Sequence, residues 1–466
     1  MKRAVLGFLI TVLVTPQAAQ ASGFMYRAAS TGRWLGLAVQ GDTRATGTFS
    51  GRVFQSFPGT VKAPLAYAAG GGACGVNPLS VAAFSAELSG SAPNTGIFLY
   101  DGGTDTIYDG ILEGATTPAG GTFAPLDGRN PAIVIETGPA TCKVHVFFVS
   151  KITGLGTDTG IFHAVFDPAA SYGLLSLTAI AVEGATAAPA PFPGSATFGD
   201  FPATAKVSAR GYPISGGAFI PHIAFRAKIT GGGIVNSNDT AIMVWSSVLG
   251  FYVVAREGDP SCAPNWAFGG SVYDKFSASM EIAAGGGYLP EVPSAMYRAK
   301  GRGGPSTSDT AIELGIADGC GAPHPVPWGI EGSATPIGGT YADFAPSTPF
   351  DAASGDPYPA FHMAFQGKIT GGPTTKALFL IGNSYWDVMR QGFTDTALSS
   401  GKLTLAANLG PALNAGGTLI YRGSVAGLTS GLFAFKDTTI SPSQLVTFAG
   451  SMAQIDTAGN MTARFP

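Results

Sequence analysis

The stretch 145–154, HVFFVSKITG, returns with few changes as HIAFRAKITG at 222–231 and as HMAFQGKITG at 362–371. Four weaker copies begin at Val81, Ser294, Thr418 and Asn460. Apolar and polar residues alternate through these copies, which indicates a β-strand whose two faces pack against different surfaces. We name this element strand A, and its seven copies define a tandem repeat that covers most of the chain.

Three further short strands accompany each strand A. Strand B follows a tight turn and opens with a T-[GA]-[IL] pattern, and strand C ends in Glu-Gly or Gln-Gly, at Gly41, Gly114, Gly184, Gly258, Gly332 and Gly392. Strand D precedes strand A, as in PAIVIE from Pro131, ATAKVS from Ala203, SASMEI from Ser277 and PALN from Pro411. Four short strands in a repeat of about 64 residues are typical of a β-propeller blade.

The first and last repeats are incomplete in complementary ways. The first repeat begins near Gly23 with strand B and lacks D and A, whereas the last contains D and A and lacks B and C. We therefore predict an all-β fold, a seven-bladed β-propeller with four antiparallel strands per blade, whose closing blade is shared between the N- and C-termini. Such closure removes free edge strands. Because the link from C to D is the longest, we expect D to be innermost, with an order that places A innermost as the alternative.

The composition excludes several classes of protein. The 466 residues include 67 Gly and 33 Pro, which a coiled coil or a helical bundle would not tolerate. A hydrophobic content of 45% is too high for a disordered chain. The net charge of −3 lacks the basic excess that nucleic-acid binding needs, so we expect no nucleic-acid partner.

The N-terminus has the pattern of a secretory signal peptide. Lys2 and Arg3 precede an apolar run at 4–14, and Ala19-Gln20-Ala21 matches a cleavage site. The run is too short to span a membrane. We predict a signal peptide at 1–21, a single propeller domain at 22–466, and a bacterial protein that is secreted or periplasmic and is not inserted in a membrane.

The four cysteines of an exported chain predict two disulfides. Cys74 and Cys142 occupy equivalent places in neighbouring repeats, so Cys74–Cys142 is the first choice. Cys262–Cys320 follows by exclusion, although these two cysteines are predicted near opposite rims, and free buried thiols are the alternative.

The repeat resembles that of an uncharacterised family of bacterial secreted tandem-repeat proteins. Their repeats read roughly N-x-x-G-x-V-A-F-x-A-x-L-x-G, then a G-I strand, then V-A-R-E-G-D-P. The stretches VAREGDP at 254–260 and LNAGG at 413–417 carry the likeness best. The resemblance implies export and a β-propeller-like fold, and it implies no activity.

Three of the five histidines, His145, His222 and His362, occupy the same position of strand A. Imidazole suits transition metals, so these residues are a candidate metal site. Recent duplication of three repeats is the competing explanation, and equivalent residues of adjacent blades are expected to lie too far apart to share one ion.

The end of strand D supplies oxygen ligands at comparable positions, namely Glu136, Asp351, Asn414 and Asp456. If D lines a channel, these residues gather at one mouth and are candidates for a polar ligand or for Ca²⁺. Turn chemistry explains the same residue types.

The repeated glutamates Glu113, Glu183, Glu257 and Glu331 are predicted to be structural, because equivalent residues around a ring do not converge on one bond. No serine has Gly at both −2 and +2, and no H-E-x-x-H or C-x-x-C occurs. Trp34, Trp328 and Trp386 fall on or near strand C, where packing between blades or stacking on sugar rings would explain them.

These features predict a monomeric, secreted propeller that binds or scaffolds, with a small polar molecule or a polysaccharide at the channel mouth or the loop rim. Ca²⁺ or a transition metal are the candidate cofactors. The alternative is a secreted propeller enzyme, either a polysaccharide hydrolase or lyase or a metal-dependent oxygenase.

Overall fold

The described part of the chain is almost wholly β-strand. The computed structural model describes the chain most fully between Thr43 and Leu380, where its longest gaps are 58–64, 69–78, 127–130, 214–218, 260–270, 284–293, 317–325 and 355–360, and outside that range it describes the separate strands given below. The helical element among these residues is one 3-10 turn, Pro168–Ala170. The prediction of an all-β fold is therefore confirmed. None of the helical structure in the described residues has the length and apolar character needed to cross a membrane.

The strands form six large antiparallel sheets and two separate strand pairs. The first pair joins β1 (Gly23–Arg27) to β2 (Trp34–Val39). Sheet 1 contains β3 (Phe54–Ser56), β4 (Leu65–Ala68), β5 (Leu79–Leu88), β6 (Thr95–Asp101) and β7 (Thr106–Leu112). Sheet 2 contains β8 (Thr122–Phe123), β9 (Ala132–Thr137), β10 (Cys142–Thr153), β11 (Thr159–Asp167) and β12 (Gly173–Val182). Sheet 3 contains β13 (Ala196–Phe198), β14 (Val207–Pro213), β15 (Phe219–Gly231), β16 (Thr240–Ser246) and β17 (Gly250–Arg256).

The second half of the chain repeats this pattern. Sheet 4 contains β18 (Val272–Ala283), β19 (Ser294–Arg302), β20 (Thr310–Ile316) and β21 (Val326–Ile330). Sheet 5 contains β22 (Thr340–Tyr341), β23 (Phe350–Ser354), β24 (Phe361–Thr370), β25 (Lys376–Ile381) and β26 (Trp386–Arg390). Sheet 6 contains β27 (Leu403–Leu405), β28 (Ala412–Leu413), β29 (Thr418–Val425), β30 (Ser430–Lys436) and β31 (Gln444–Phe448). The last pair joins β32 (Ala453–Ile455) to β33 (Met461–Ala463).

Within each large sheet the hydrogen-bonded order is D–A–B–C, as in β9–β10–β11–β12 of sheet 2. Strands D of consecutive sheets contact one another from β4 and β9 through to β23 and β28, so D lies at the inner edge of the succession and C at its outer edge. The alternative order with A innermost is wrong, because A pairs with both D and B.

The prediction of four strands per sheet needs a correction at strand D. In five sheets the inner side of strand A pairs with two separate segments, for example β8 near Thr153 and β9 near Cys142 in sheet 2. Pro125 and Pro131 between those segments cannot donate hydrogen bonds to a ladder, so the strand is interrupted there. In sheet 4 the two segments are continuous as β18, with register shifts after Tyr273 and Phe276. Strand D of sheet 3 begins at Val207 rather than at the predicted Ala203.

The core lies between the sheets. Strand A carries a buried aromatic residue at one position of five sheets, namely Phe84, Phe148, Phe225, Tyr297 and Phe365. Phe148 packs against Phe123 and Phe162 of its own sheet, with ring centroids 5.6 Å away in both cases. Burial of each such ring contributes roughly 2–3 kcal/mol to stability. Because both faces of the sheets are packed, few positions remain for charged residues.

The incomplete first and last repeats appear as the pairs β1–β2 and β32–β33. In the predicted repeat, β1 and β2 correspond to strands B and C, and β32 and β33 correspond to strands D and A. Pairing between the two halves is not among the strand pairings of the described residues, so the closed ring of seven blades remains a prediction. The predicted signal peptide at 1–21 lies outside the described residues.

Candidate functional site

The Glu-Gly mark of strand C forms a hydrogen-bonded clasp with the Thr that opens strand B. In sheet 4, Thr310 Oγ1 donates to Glu331 Oε2 at 2.9 Å, and Glu331 N donates to Thr310 O at 2.9 Å. The Thr310 hydroxyl also accepts from the backbone N of Phe344, which follows β22 of the next sheet, at 3.0 Å. The same backbone bond joins Thr95 to Glu113, Thr159 to Glu183 and Thr240 to Glu257. The clasp therefore ties strand B to strand C and one sheet to the next.

The glycine of the mark turns the chain toward the next sheet. Gly332 has φ of +79°, and a Cβ there would lie 2.9 Å from the carbonyl oxygen of Thr307, so only glycine fits. Its N donates to Tyr341 O of β22 at 2.8 Å. Positive φ values recur at Gly114, Gly184 and Gly258. The geometry of Glu113, Glu183, Glu257 and Glu331 is thus that of a repeated structural joint.

A groove of about 390 Å³ opens between sheets 3 and 4. Sheet 3 lines it with Arg226 from strand A and with Asp239 and Glu257, and sheet 4 lines it with Asp274 and Arg302. Both arginines reach across the groove. Arg226 Nη1 donates to Phe276 O of sheet 4 at 3.1 Å, and Arg302 Nη2 approaches Ser237 O of sheet 3 at 3.4 Å. We call this region the charged groove.

Burial and like charges dominate the electrostatics of the charged groove. Burial, and next the negative charge of Asp239, raise the pKa of Glu257 to about 7, while a hydrogen bond from Thr240 opposes the rise. Burial lowers the pKa of Arg226, and Glu257 opposes that change. Arg302 remains 45% exposed and lies 3.9 Å from Asp274. The groove therefore offers guanidinium donors and carboxylate acceptors side by side.

The adjacent joints differ at the position of Arg226 in strand A. Sheet 4 has Arg298 there, which donates to Phe344 O at 2.7 Å, whereas sheet 2 has the buried Val149. At the joint that Glu183 forms in sheet 2, the carboxylates of Asp158, Glu183 and Asp200 offer oxygens within 4.8 Å of one another. Burial, together with Asp158, raises the pKa of Glu183. This group is the only one among the described residues with the spacing of a metal site.

The structure places His145 in a buried polar chain. His145 Nε2 lies 3.0 Å from Glu136 Oε2, and His145 Nδ1 lies 2.9 Å from His163 Nε2. Because a carboxylate only accepts, His145 donates through Nε2 and accepts from His163 through Nδ1. The His163 ring stacks on Phe147 with centroids 4.3 Å apart, and burial lowers its pKa to about 3. Both ring nitrogens of His145 are engaged within its own sheet.

The other two predicted metal ligands, His222 and His362, lie on strand A of sheets 3 and 5. His222 is buried opposite Arg210 and Ser246, and burial lowers its pKa to about 4. His362 lies opposite Ala353 in sheet 5, and its side chain is outside the described residues. The three-histidine site stays a prediction.

Only one of the predicted channel-mouth residues has a described side chain. Glu136 on β9 lies 3.5 Å from Lys143 and contacts His145. Asp351 pairs with Ala364 through its backbone, and Asn414 and Asp456 lie outside the described residues. Cys142 opens β10 and is 8% exposed, while Cys74, Cys262 and Cys320 lie outside the described residues, so both disulfides stay predictions.

Sequence reasoning missed His163, Arg226 and Arg302. Neither His163 nor Arg302 has the same residue at the equivalent position of another repeat. His163 contacts His145 of the neighbouring strand and Arg302 contacts Ser237 of the neighbouring sheet, and the repeat pattern specifies neither contact. Arg226 carried a signal, because Arg at this position recurs in HIAFRAKITG and SAMYRAKGRG.

No family model matches the chain, and no curated protein matches it. Among solved structures it is similar to a fucose-specific lectin from Aleuria aurantia, a six-bladed β-propeller, at a TM-score of 0.37 and 9% identity over 83% of this chain and 97% of the lectin. An α-L-arabinofuranosidase from Fusarium graminearum gives a TM-score of 0.37 and 10% identity over 82% and 93% of the two chains. Trypanosoma rangeli sialidase gives a TM-score of 0.37 and 10% identity over 91% of this chain and 57% of the sialidase. With these scores below 0.5, the neighbours do not select one ligand or activity.

Proposed function

We propose that the protein is an exported binding protein whose ligand, a carbohydrate or another polyhydroxylated small molecule, enters the charged groove between sheets 3 and 4. The observation that carries this proposal is the presence of Arg226, Arg302, Asp239, Glu257 and Asp274 around one opening of about 390 Å³. Hydroxyl groups both donate and accept, so a polyol can use the guanidinium donors and the carboxylate acceptors together.

The charges of the groove are partly neutralised by each other, which favours a neutral or weakly charged ligand over a highly charged one. Arg226 is fixed to Phe276 O, so it is already oriented before a ligand arrives. Such pre-organisation lowers the entropy that is lost on binding. Arg302 is the more exposed of the two arginines and is the side chain that a ligand meets first.

The alternative is a hydrolase that uses Glu257, since a carboxyl group with a pKa near 7 can act as a general acid. The clasp weighs against this alternative, because Glu113, Glu183 and Glu331 hold the same place in other sheets. An activity screen on polysaccharides with the wild type and Glu257→Gln tests it. Reducing ends released by the wild type and not by the variant would favour the enzyme.

Binding is tested on a glycan array, followed by calorimetry with the best ligand. We expect Asp274→Asn and Arg302→Ala to weaken binding by about tenfold or more. Arg52→Ala is the matched control, because Arg52 also donates to the backbone carbonyls of a turn, at 2.7 Å to Pro93 O, and does not line the groove. Equal affinity in all four proteins would refute this location for the site.

We also propose three features of the whole chain that the sequence predicts. These are cleavage before Ser22, export, and a closed ring of seven blades in which β1–β2 and β32–β33 form one sheet. N-terminal sequencing of the exported protein tests the cleavage. Peptide mapping without reduction tests Cys74–Cys142. Removing 460–466 deletes β33, and an unchanged melting temperature would contradict ring closure.

A further inference from the structure

A second cleft lies beside Trp328 on strand C of sheet 4, away from any charged lining residue. It has a volume of about 320 Å³, and its walls include Trp328, Ser333, Thr335, Pro336 and Tyr341. Trp328 and Pro336 supply apolar surface, and the other three residues supply hydroxyl groups. Among the described residues, none of those that line this cleft is charged.

The hydroxyl of Tyr341 has no hydrogen-bond partner among the described residues. Tyr341 is only 3% exposed, and its ring is fixed by Phe379 and Phe344, with centroids 5.1 and 5.6 Å away. A buried polar group without a partner is costly, so such groups usually meet a ligand or water. Because Tyr341 also lines the cleft, a group that enters it and reaches this buried hydroxyl would supply the missing partner.

The two other hydroxyls have their hydrogens committed within the turn. Ser333 Oγ donates to Ile330 O at 2.7 Å, and Thr335 Oγ1 donates to Gly338 O at 2.8 Å. Toward a ligand these oxygens can only accept. A complementary molecule thus presents hydroxyl donors, one acceptor for Tyr341, and an apolar face for the Trp328 indole.

Another turn of the chain has the same backbone hydrogen bonds as the turn that forms this cleft. Residues 110–123 align with 328–341 without a gap, and the two turns share their backbone bonds, such as Thr117 N to Gly121 O and Thr335 N to Gly339 O, both at 3.0 Å. The first turn has Gly110, Ala115 and Phe123 where the second has Trp328, Ser333 and Tyr341. The backbone of the turn is the same, and these three differences, among six at cleft-lining positions, add an aromatic wall, an acceptor and a donor.

From this geometry we infer that the cleft lined by Trp328, Ser333, Thr335 and Tyr341 is a binding site for a single neutral sugar ring. The ring would stack its C–H face on Trp328 while its hydroxyls bond to Ser333, Thr335 and Tyr341. This site stands on its own residues and does not depend on a ligand in the charged groove.

The test uses the full-length protein and a panel of methyl glycosides of neutral hexoses, N-acetylhexosamines and deoxyhexoses, with saturation-transfer NMR and titration. We expect at least one of them to bind with a Kd on the order of millimolar. Tyr341→Phe should weaken that binding by about three- to tenfold, since one neutral hydrogen bond is lost, and Trp328→Ala by about tenfold or more. Tyr341→Phe should fold normally, because the matching residue of the sibling turn is Phe123.

Arg302→Ala separates the two sites. Neutral-sugar binding that survives Arg302→Ala and falls in Tyr341→Phe supports the cleft, even if the charged groove binds nothing. Binding that falls only in Arg302→Ala supports the groove alone and overturns the cleft. Absence of binding by every sugar of the panel, or binding of indole or benzyl alcohol in their place, overturns the assignment to a sugar.

Discussion

Glu313 on strand B of sheet 4 makes the stability of the protein depend on pH. The hydroxyls of Tyr273 and Tyr297 donate to its Oε2, both at 2.8 Å, and its Oε1 has no partner among the described residues. The side chain is fully buried. Sheet 3 fills the same three positions with apolar residues, namely Phe198, Phe225 and Met243.

The size of the effect follows from the pKa of Glu313. Burial raises this pKa from 4.5 to about 8, and the hydrogen bonds from Tyr297 and Tyr273 oppose the rise. Below pH 4.5 the group is protonated in the folded and unfolded chains alike. Between the two values the unfolded chain releases the proton and the folded chain keeps it, so the free energy of unfolding falls as pH rises. The total loss is about 5 kcal/mol, complete once pH has passed the folded pKa.

Urea unfolding of the wild type and of Glu313→Gln at about pH 5.5 and about pH 8.5 measures this loss. We expect the wild type to lose about 3 kcal/mol more than the variant over that interval, because a carboxamide does not titrate. Equal losses in the two proteins would refute the reasoning. The triple variant Y273F/Y297F/E313M installs the trio of sheet 3. It should be at least as stable as the wild type at about pH 8.5, because replacing a buried polar set as a whole avoids an unpaired group.

Three further predictions concern the joints and the buried histidines. Thr159→Val removes the bond to Glu183 and the acceptor for Phe201 N, so we expect a loss of about 2 kcal/mol in thermal unfolding, while the exposed Thr116→Val stays within about 0.5 kcal/mol. Because burial lowers the pKa of His163 to about 3, its NMR signals should report a neutral ring down to about pH 4, and titration near 6.5 would contradict its placement. The lowered pKa values of His163 and His222 contribute in the direction opposite to Glu313, because below pH 6.5 only the unfolded chain takes up their protons, and His163→Phe should reduce this loss of stability at low pH.

The repeated parts of the molecule were the ones that the sequence could predict. Strand A, the Thr that opens strand B and the Glu-Gly mark each recur, and their shared register favours the order D–A–B–C, with A innermost as the alternative that the strand pairings exclude. The interruption of strand D was not predicted, because β8 before Pro125 has only two residues and does not stand out from the surrounding loop, whereas the segment after Pro131 does. A strand of two or three residues depends on the ladder of strand A rather than on its own pattern.

Trp328 was a candidate for stacking on sugar rings, but the full set of residues around the charged groove and the cleft could not be predicted, for a different reason. Arg302 meets Ser237 of another sheet, and Tyr341 meets Trp328 of the preceding sheet, so each site joins residues whose proximity depends on how neighbouring sheets pack. A repeat pattern specifies one sheet at a time. The shared register of the three histidines likewise did not reveal that His145 contacts Glu136 and His163 of its own sheet.

The departures from the repeat are therefore where function should be sought. The clasp is constant, but the strand A position opposite the third residue of strand B varies, with Ser85, Val149, Arg226, Arg298, Gln366 and Arg422 in successive copies. An arginine there places a guanidinium beside the carboxylates of the joint, as at Glu257, whereas Val149 leaves Asp158, Glu183 and Asp200 without one. One scaffold thus gives neighbouring joints different charges without altering the backbone. The same logic applies to the turn at 328–341, which differs from the turn at 110–123 at six of the residues that line the cleft.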